Sequence, residues 1–270
     1  MDPKTFSIVM IGAGNVGTHL SKVLSEAGFI IKQIYSRNLL NASRCADYTG
    51  SEATDKPDEI LSDADLYLFA LSDKVINEFS KNHVFKNKLL VHTSGSLPSS
   101  IFSSITNSYG VLYPLQTFTR DRDIHFADVP VFVQASDNQV KSTIEFIAGK
   151  ISDNVVELTD EKRCQVHLAA VFASNFLNHM LLVANEILED TGIDPKLIKH
   201  LVTETINKAD DLGPFQSQTG PARRNDRNVM DKHLKMLENY PEYQKIYIFV
   251  SESISGKYNK NSKWGISRKT

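Results

Sequence analysis

The chain has 270 residues, a formal net charge of −2 and only two cysteines, Cys45 and Cys164. The length predicts two domains, and the near-zero charge gives no general attraction to nucleic acid. The cysteines form no metal or redox motif, so we expect no metal site and a reducing, cytoplasmic location. No apolar run comes near the roughly 18 residues that indicate a membrane span, so we expect no membrane association.

A glycine-rich turn follows the first apolar run, residues 6–11, which predicts a strand. Apolar residues after the turn recur at helical spacing, so the glycines lie between a strand and a helix. At such a turn a dinucleotide pyrophosphate can bind N–H groups at the positive end of the helix dipole. The expected cofactor-binding residues of this turn are Gly12, Gly14, Asn15, Val16 and Gly17. The alternatives are an ordinary turn between strand and helix, or a site for another nucleotide-like ligand.

The second predicted strand, residues 29–35, is followed by Ser36 and Arg37. A site for NAD usually has Asp or Glu at this position, where the carboxylate binds the ribose 2′-hydroxyl. Ser36 can instead donate a hydrogen bond, and the Arg37 guanidinium matches a 2′-phosphate. The pair therefore predicts NADP as the cofactor, unless Arg37 is a solvated surface arginine.

Strand and helix patterns alternate through the rest of the first half of the chain. Further strands are predicted at residues 66–71, 88–92, 109–113, 131–133 and 155–157, with a helix from about 138 to 150. This alternation predicts an α/β fold whose N-terminal domain, residues 1–157, is a doubly wound Rossmann sheet. Ligands of such sheets bind beyond the carboxyl ends of the strands. Leu71 and Ser72 are therefore expected to contact the cofactor.

Two more strand ends bring polar residues to the same edge of the predicted sheet. Ser94, Gly95 and Ser96 follow the strand at 88–92, and Tyr113 ends the next strand. We expect these four residues to bind the substrate, with hydroxyls and backbone N–H groups contacting a carboxylate or carbonyl. The alternative for the Ser-Gly-Ser loop is a turn that caps a helix.

The pattern changes near Leu158, after which no strand is predicted. One long helix is expected from Asp160 to about Glu189, and further helices follow to about Gly256. Residues 158–270 are therefore predicted to form a C-terminal all-helical domain. We expect so thin a domain to pack on the sheet domain, on a second copy of the chain, or on both.

The long helix has polar residues among apolar neighbours. With 100° of rotation per residue, His167, Ser174 and Asn178 fall within about 40° of one another, and Asn175 lies beside them. Buried polar groups need partners, and histidine exchanges protons near neutral pH. We expect His167 to be the catalytic acid or base, Asn175 to orient the substrate, and Asn178 to bind it. The alternative is a structural histidine.

A polar loop at residues 215–225 contains Arg223 beside a second arginine. Two arginines next to Gly-Pro are suited to hold an anionic substrate, so Arg223 is a candidate substrate ligand. The alternative is a surface loop in which Asp226 caps the next helix.

Several of these motifs together resemble one family. The chain is similar to Rossmann-like proteins with a C-terminal helical DUF2520 domain, which are described as NADP oxidoreductases. That family is related to pyrroline-5-carboxylate reductase and the 6-phosphogluconate dehydrogenase-like enzymes. The motifs that carry the resemblance are residues 12–17, 92–96, 114–118, 167–175 and 219–223. The resemblance implies a Rossmann domain, use of NADP(H) and a homodimer formed through the helical domain, but no particular substrate.

Two positions depart from the pattern of the family. Tyr113-Pro114 stands where relatives commonly have His-Pro, and His167 stands where the related dehydrogenases have a catalytic lysine. The sequence predicts an NADP-dependent oxidoreductase that acts on a small, anionic carbonyl, imine or alcohol. The rival hypothesis is a non-catalytic protein that binds or senses a dinucleotide, which requires the glycines and Arg37 but no proton donor.

Overall fold

The structure is a computed structural model that describes residues 1–79 and 85–258. The chain divides into two compact units, Met1–Phe176 and Leu177–Thr270. The last strand ends at Glu157, one residue before the predicted start of the helical domain, whereas the two units divide after Phe176. The first unit therefore also includes the helix Asp160–Ala170, which follows the last strand.

The first unit contains one eight-stranded sheet. Its strands are β1 (Ser7–Ile11), β2 (Ile30–Tyr35), β3 (Glu52–Thr54), β4 (Leu66–Phe69), β5 (Leu90–His92), β6 (Tyr109–Pro114), β7 (Val131–Ala135) and β8 (Val155–Glu157). The strand order is β3-β2-β1-β4-β5-β6-β7-β8, and neighbouring strands are parallel except for the antiparallel pair β6–β7. The predicted Rossmann-like sheet is confirmed, and the short edge strand β3 is an addition to the prediction.

Helices surround this sheet. Those of the first unit are α1 (Asn15–Glu26), α2 (Leu39–Thr49), α3 (Asp73–Phe79), α4 (Asn138–Gly149) and α5 (Asp160–Ala170). β1 and β4 are buried at every position, as expected for apolar strands covered on both faces. Ile8 and Met10 pack in one apolar cluster, whereas Val9 and Ile11 pack in the other. The alternation along β1 therefore supplies both faces of the sheet.

The carboxyl ends of five parallel strands lie side by side. Ile11 at the end of β1 pairs with Tyr35 of β2 and with Phe69 of β4. His92 at the end of β5 pairs with Phe69 and with Val111 of β6. The loops that follow β1, β2, β4, β5 and β6 consequently leave one edge of the sheet.

The long helix is interrupted by a π-helical segment. α5 continues through the π segment Val171–Phe176 into α6 (Leu177–Glu189), so the predicted bounds of 160 and 189 agree with the structure. A π turn takes in about one residue more than an α turn, which rotates the following residues by about 100°. The expected stripe of His167, Ser174 and Asn178 assumed a uniform α-helix and is wrong in this respect.

The same helix is long and apolar enough to cross a membrane, by length and composition alone. Residues 160–189 include an 18-residue window of mean hydropathy 1.5, none of it buried, and this is the one helix in the described ranges that is suited by length and composition to cross a membrane. The expectation that no such run exists is therefore wrong. A single helix of this kind is weak evidence for a membrane, because core helices of soluble proteins have the same composition.

The second unit is helical throughout its described part. Beyond α6 its helices are α7 (Lys199–Leu212), α8 (Pro214–Ser217), α9 (Pro221–Arg224), α10 (Arg227–Met236) and α11 (Pro241–Tyr258). Between residues 177 and 258 the buried apolar side chains are those of Ala222, Met230 and Leu237. By contrast, Leu201 is 64% exposed and Leu197 is 74% exposed. This unit therefore leaves much apolar surface uncovered in the single chain.

Candidate functional site

The glycine-rich turn at the end of β1 has space for a phosphate group. Gly12 has φ +119°, and a Cβ there would lie 2.3 Å from the carbonyl oxygen of Ala70. A Cβ on Gly17 would lie 1.9 Å from the carbonyl oxygen of Gly12, whereas a Cβ on Gly14 would meet nothing within 4 Å. Gly17 thus allows α1 to approach the end of β1 closely, and Gly12 allows the turn to approach the end of β4. The open space at Gly14 fits a pyrophosphate.

The N-terminus of α1 is suited to bind that anion. Its N-cap residue, Gly14, makes no side-chain cap hydrogen bond. A helical hydrogen bond runs from the Thr18 N–H to the Gly14 carbonyl. The N–H groups of Asn15, Val16 and Gly17 precede it and have no acceptor within the helix. They remain available to a phosphate, whose charge the helix dipole favours.

Arg120 supports the glycine-rich turn and was missed from the sequence. It lies in the connection between β6 and β7, and its Nη2 donates to the Ala13 carbonyl at 2.8 Å. Its Nη1 donates to Asn41 Oδ1 in α2, also at 2.8 Å. The partners are 107 and 79 residues away along the chain. No local motif could therefore have marked this arginine.

Ser36 and Arg37 lie directly after β2, at the predicted edge. The Ser36 N–H donates to the Thr54 carbonyl of β3 at 3.1 Å. Its hydroxyl oxygen accepts from the Asn38 N–H at 3.4 Å. Arg37 is exposed. An exposed guanidinium at this strand end is accessible to a 2′-phosphate, and it also fits a solvated surface arginine.

The Ser-Gly-Ser loop after β5 is organised by Asp73, the first residue of α3. Ser94 Oγ donates to Asp73 Oδ1 at 2.8 Å, and Ser96 Oγ donates to Oδ2 at 2.5 Å. Ser94 Oγ also accepts from the N–H groups of Ser96 and Leu97, at 3.1 and 3.0 Å. The Ser94 hydroxyl is thus used inside the loop, as the turn alternative requires. Ser72, just before Asp73, is exposed, and its carbonyl accepts the first helical N–H groups of α3.

His92 is buried beneath this loop and holds its backbone. Its Nδ1 accepts from the Ser94 N–H at 3.2 Å, and its Nε2 lies 3.2 Å from the Pro98 carbonyl. This pairing assigns the ring proton to Nε2 in a neutral imidazole. Burial, aided by the charge of Arg163, lowers the pKa of His92 from 6.5 to about 4. The ring therefore stays neutral near pH 7.

We expect acid to destabilise the protein through His92. As the pH falls from 6.5 to about 4, the unfolded chain binds a proton at His92 and the folded chain does not. The free energy of unfolding should fall over this range by roughly 3 kcal/mol. Denaturant titrations across it measure the loss. In the variant His92→Asn the amide oxygen can replace Nδ1 as hydrogen-bond acceptor, and this part of the pH dependence should disappear. An unchanged pH dependence in this variant would show that His92 is not the group responsible.

Arg163 anchors α5 to the Ser-Gly-Ser loop. It is only 1% exposed. Its guanidinium donates to Gln134 Oε1 at 2.7 Å, to Asp160 Oδ1 at 2.9 Å and to the Leu97 carbonyl. The Asp160 carboxylate also accepts from the Ser99 N–H at 2.9 Å. The charged run at residues 160–163 is typical of a solvated helix start, so neither side chain was predicted to hold the site.

His167 lies one turn further along α5 and contacts the end of β6. Its Nδ1 is 2.9 Å from the Tyr113 hydroxyl oxygen, and the two rings meet edge to face at 76°. A Cβ on Gly95 would lie 2.7 Å from His167 Cγ, so only glycine leaves room for the imidazole. Burial raises the pKa of the Tyr113 phenol, and the charge of Arg163 opposes this. The structure thus brings together three predicted site residues.

The remaining predicted residues lie elsewhere or are exposed. Asn175 is exposed in the π segment, and Asn178 is exposed on α6. The argument that a buried polar stripe needs partners does not apply to them in the single chain. In the second unit, Arg223 donates to the Gln218 carbonyl, and its guanidinium lies 5.2 Å from the centre of the Tyr258 ring. Leu71 packs partly buried against the apolar cluster of the first unit.

Two family models match the chain. Residues 7–95 match the model described as NADP oxidoreductase coenzyme F420-dependent. Residues 129–254 match the model described as a domain of unknown function, DUF2520. A search of the curated proteins found no match.

Solved structures match over nearly the whole chain. A Bacteroides fragilis protein, provisionally named an NADP oxidoreductase, is 37% identical with a TM-score of 0.89, covering 94% of this chain and all of that one. A Myxococcus stipitatus imine reductase in complex with NADP+ is 14% identical with a TM-score of 0.65, covering 94% and 93%. An Aspergillus terreus reductive aminase in complex with NADPH and ethyl levulinate is 12% identical with a TM-score of 0.73, covering 95% of each chain. The last two similarities concern the fold alone.

Proposed function

Because the chain belongs to the family of Rossmann-like NADP oxidoreductases with a DUF2520 domain, we propose that it reduces or oxidises a small carbonyl, imine or alcohol. NADP is the cofactor, and its reduced form supplies hydride when bound. The glycine-rich turn and the first N–H groups of α1 would hold its pyrophosphate. Arg37 would hold its 2′-phosphate.

The hydrogen bond between His167 and Tyr113 carries the catalytic part of the proposal. It joins two groups that exchange protons. It lies at the carboxyl end of β6, beside the loop that follows β5, at the edge of the sheet where Rossmann folds bind ligands. Reduction of a carbonyl or imine requires a proton as well as hydride, and the pair formed by His167 and Tyr113 would supply that proton. The proposal that the substrate is an anion is supported by Arg223 alone. In the structure, the Arg223 guanidinium donates to backbone carbonyls of its own loop.

A substrate screen that follows NADPH absorbance tests this function. Pyruvate represents an anionic carbonyl, and cyclohexanone with allyl amine, the pair bound in a further reductive aminase structure, represents an imine precursor. Oxidation of NADPH with either probe supports the enzyme. Tight binding of NADPH without turnover of any carbonyl or imine would favour the rival, a dinucleotide sensor. The histidine at position 167, where the related dehydrogenases have a catalytic lysine, also favours that rival.

Arg37→Ala is expected to weaken NADPH binding by about 1.5–3 kcal/mol, because it removes a hydrogen bond to a charged phosphate. NADH lacks that phosphate, so its affinity should stay almost unchanged. Fluorescence titration of NADPH and NADH measures the change in affinity for each cofactor. Arg44→Ala, which removes an exposed arginine of α2, is the matched control. Equal losses of affinity for NADPH and NADH would show that Arg37 does not bind the 2′-phosphate.

We also propose a homodimer formed through the helical domain. Support comes from the exposed apolar side chains of the second unit and from the frequency of two-fold dimers. Light scattering at micromolar concentration should give twice the mass of one chain. Leu201→Asp should shift the protein toward monomer, whereas Thr203→Asp, at an exposed polar position of α7, should not. A single-chain mass for the unmodified protein would refute the dimer.

A further inference from the structure

Tyr113 is held in one orientation by three elements of the first unit. It is near the end of β6, its hydroxyl oxygen lies 2.9 Å from His167 Nδ1 on α5, and Gly95 in the loop after β5 packs against the imidazole. The ring centres of Tyr113 and His167 are 5.9 Å apart, edge to face. The phenol and the imidazole therefore form a defined pair.

We propose that Tyr113 is the residue that gives the proton to the substrate, and that His167 Nδ1–H donates to the phenolic oxygen and later replaces the lost proton. This inference rests on the proposed function, because it names a catalytic residue for that reaction. His167 then acts through Tyr113.

The direction of the hydrogen bond decides whether the Tyr113 phenol has a proton available to donate to the substrate. If Nδ1 donates to the phenolic oxygen, the phenol keeps its own O–H for another acceptor. If Nδ1 instead accepts, the phenol proton is used internally and is not available. The buried charge of Arg163 opposes the effect of burial on the phenol, so it would also stabilise the phenolate that proton transfer leaves behind.

The proton balance closes without a further reactant. During reduction the substrate's oxygen or nitrogen forms a bond to hydrogen, and the Tyr113 O–H bond breaks to leave a phenolate. The phenolate takes the Nδ1 proton of His167, and Nε2 takes one proton from hydronium. Loss of the Nε2 proton to water and return of a proton from hydronium to Nδ1 then restore the starting tautomer. The net change is one proton from solvent for each substrate reduced, and the hydride comes from NADPH.

The first test measures the His167 tautomer by ¹⁵N NMR in the full chain without added cofactor. We expect a protonated Nδ1 in the unmodified protein, and a changed Nδ1 signal in Tyr113→Phe. Tyr109→Phe, at the other end of β6, is the control and should leave the signal unchanged. An unprotonated Nδ1 would overturn the proposal whatever the activity, because the phenol would then be the donor.

The second test measures NADPH oxidation with cyclohexanone and allyl amine. Tyr113→Phe should slow turnover by about 10²–10⁴-fold and leave the NADPH dissociation constant unchanged, whereas Tyr109→Phe should keep full activity. Adding His167→Ala to Tyr113→Phe should cost little more, since the two residues act as a unit. Full activity in Tyr113→Phe would overturn the role of Tyr113 as proton donor and leave the proposed function standing. Failure of the unmodified protein to bind NADPH would overturn the proposed function. The His167 tautomer, measured without cofactor, would still test the direction of the hydrogen bond.

Discussion

Replacing His167 with alanine is expected to slow turnover by about 10²–10⁴-fold, the usual effect of losing a general acid or base. The NADPH affinity should stay close to that of the unmodified protein, because the expected phosphate contacts come from the glycine-rich turn and from the end of β2. The measurement is steady-state NADPH oxidation with cyclohexanone and allyl amine, together with a fluorescence titration of NADPH.

A structural role for His167 gives a different result. The imidazole packs on Gly95 and binds Tyr113, so a merely structural histidine would lower the thermal stability when removed and leave turnover per folded molecule largely intact. Gln165→Ala, at an exposed position of α5, is the control for the helix. Measuring melting temperature and turnover on one preparation separates the two roles.

Asp160→Ala is expected to lower the free energy of unfolding by about 3–5 kcal/mol. The change leaves the 1%-exposed Arg163 guanidinium without its carboxylate partner, and an uncompensated buried charge has this cost. It also removes the acceptor of the buried Ser99 N–H. Denaturant unfolding measures the loss, and Glu161→Ala, at the exposed neighbouring position, should lose much less.

A double-mutant cycle tests the mechanism of that loss. Arg163→Met combined with Asp160→Ala removes the charge along with its partner, so the double variant should be less destabilised than the sum of the single variants. Strict additivity, or an Asp160→Ala loss equal to that of Glu161→Ala, would show that the pair does not hold α5 to the loop.

Local patterns were sufficient to predict most of the secondary structure. β1, β2, β6 and β8 were predicted within one residue of their observed bounds, because strand, turn and helix signals are carried by neighbouring residues. The glycine-rich turn was predicted for the same reason: a Cβ on Gly17 would meet the carbonyl group of Gly12, which lies in the same turn. β3 was missed, since three residues at a sheet edge carry too short a pattern.

Long-range packing determined the rest of the site. Arg163 follows three charged residues and resembles a solvated side chain, yet its partners Gln134 and Leu97 lie 29 and 66 residues away. Asp73 binds serines 21 and 23 residues away, and Tyr113 meets His167 across 54 residues. The π segment likewise changed which polar residues share a face of the long helix. Residues so far apart along the chain meet only once the order of the strands places their loops together, so a reading of local periodicity cannot identify those hydrogen bonds.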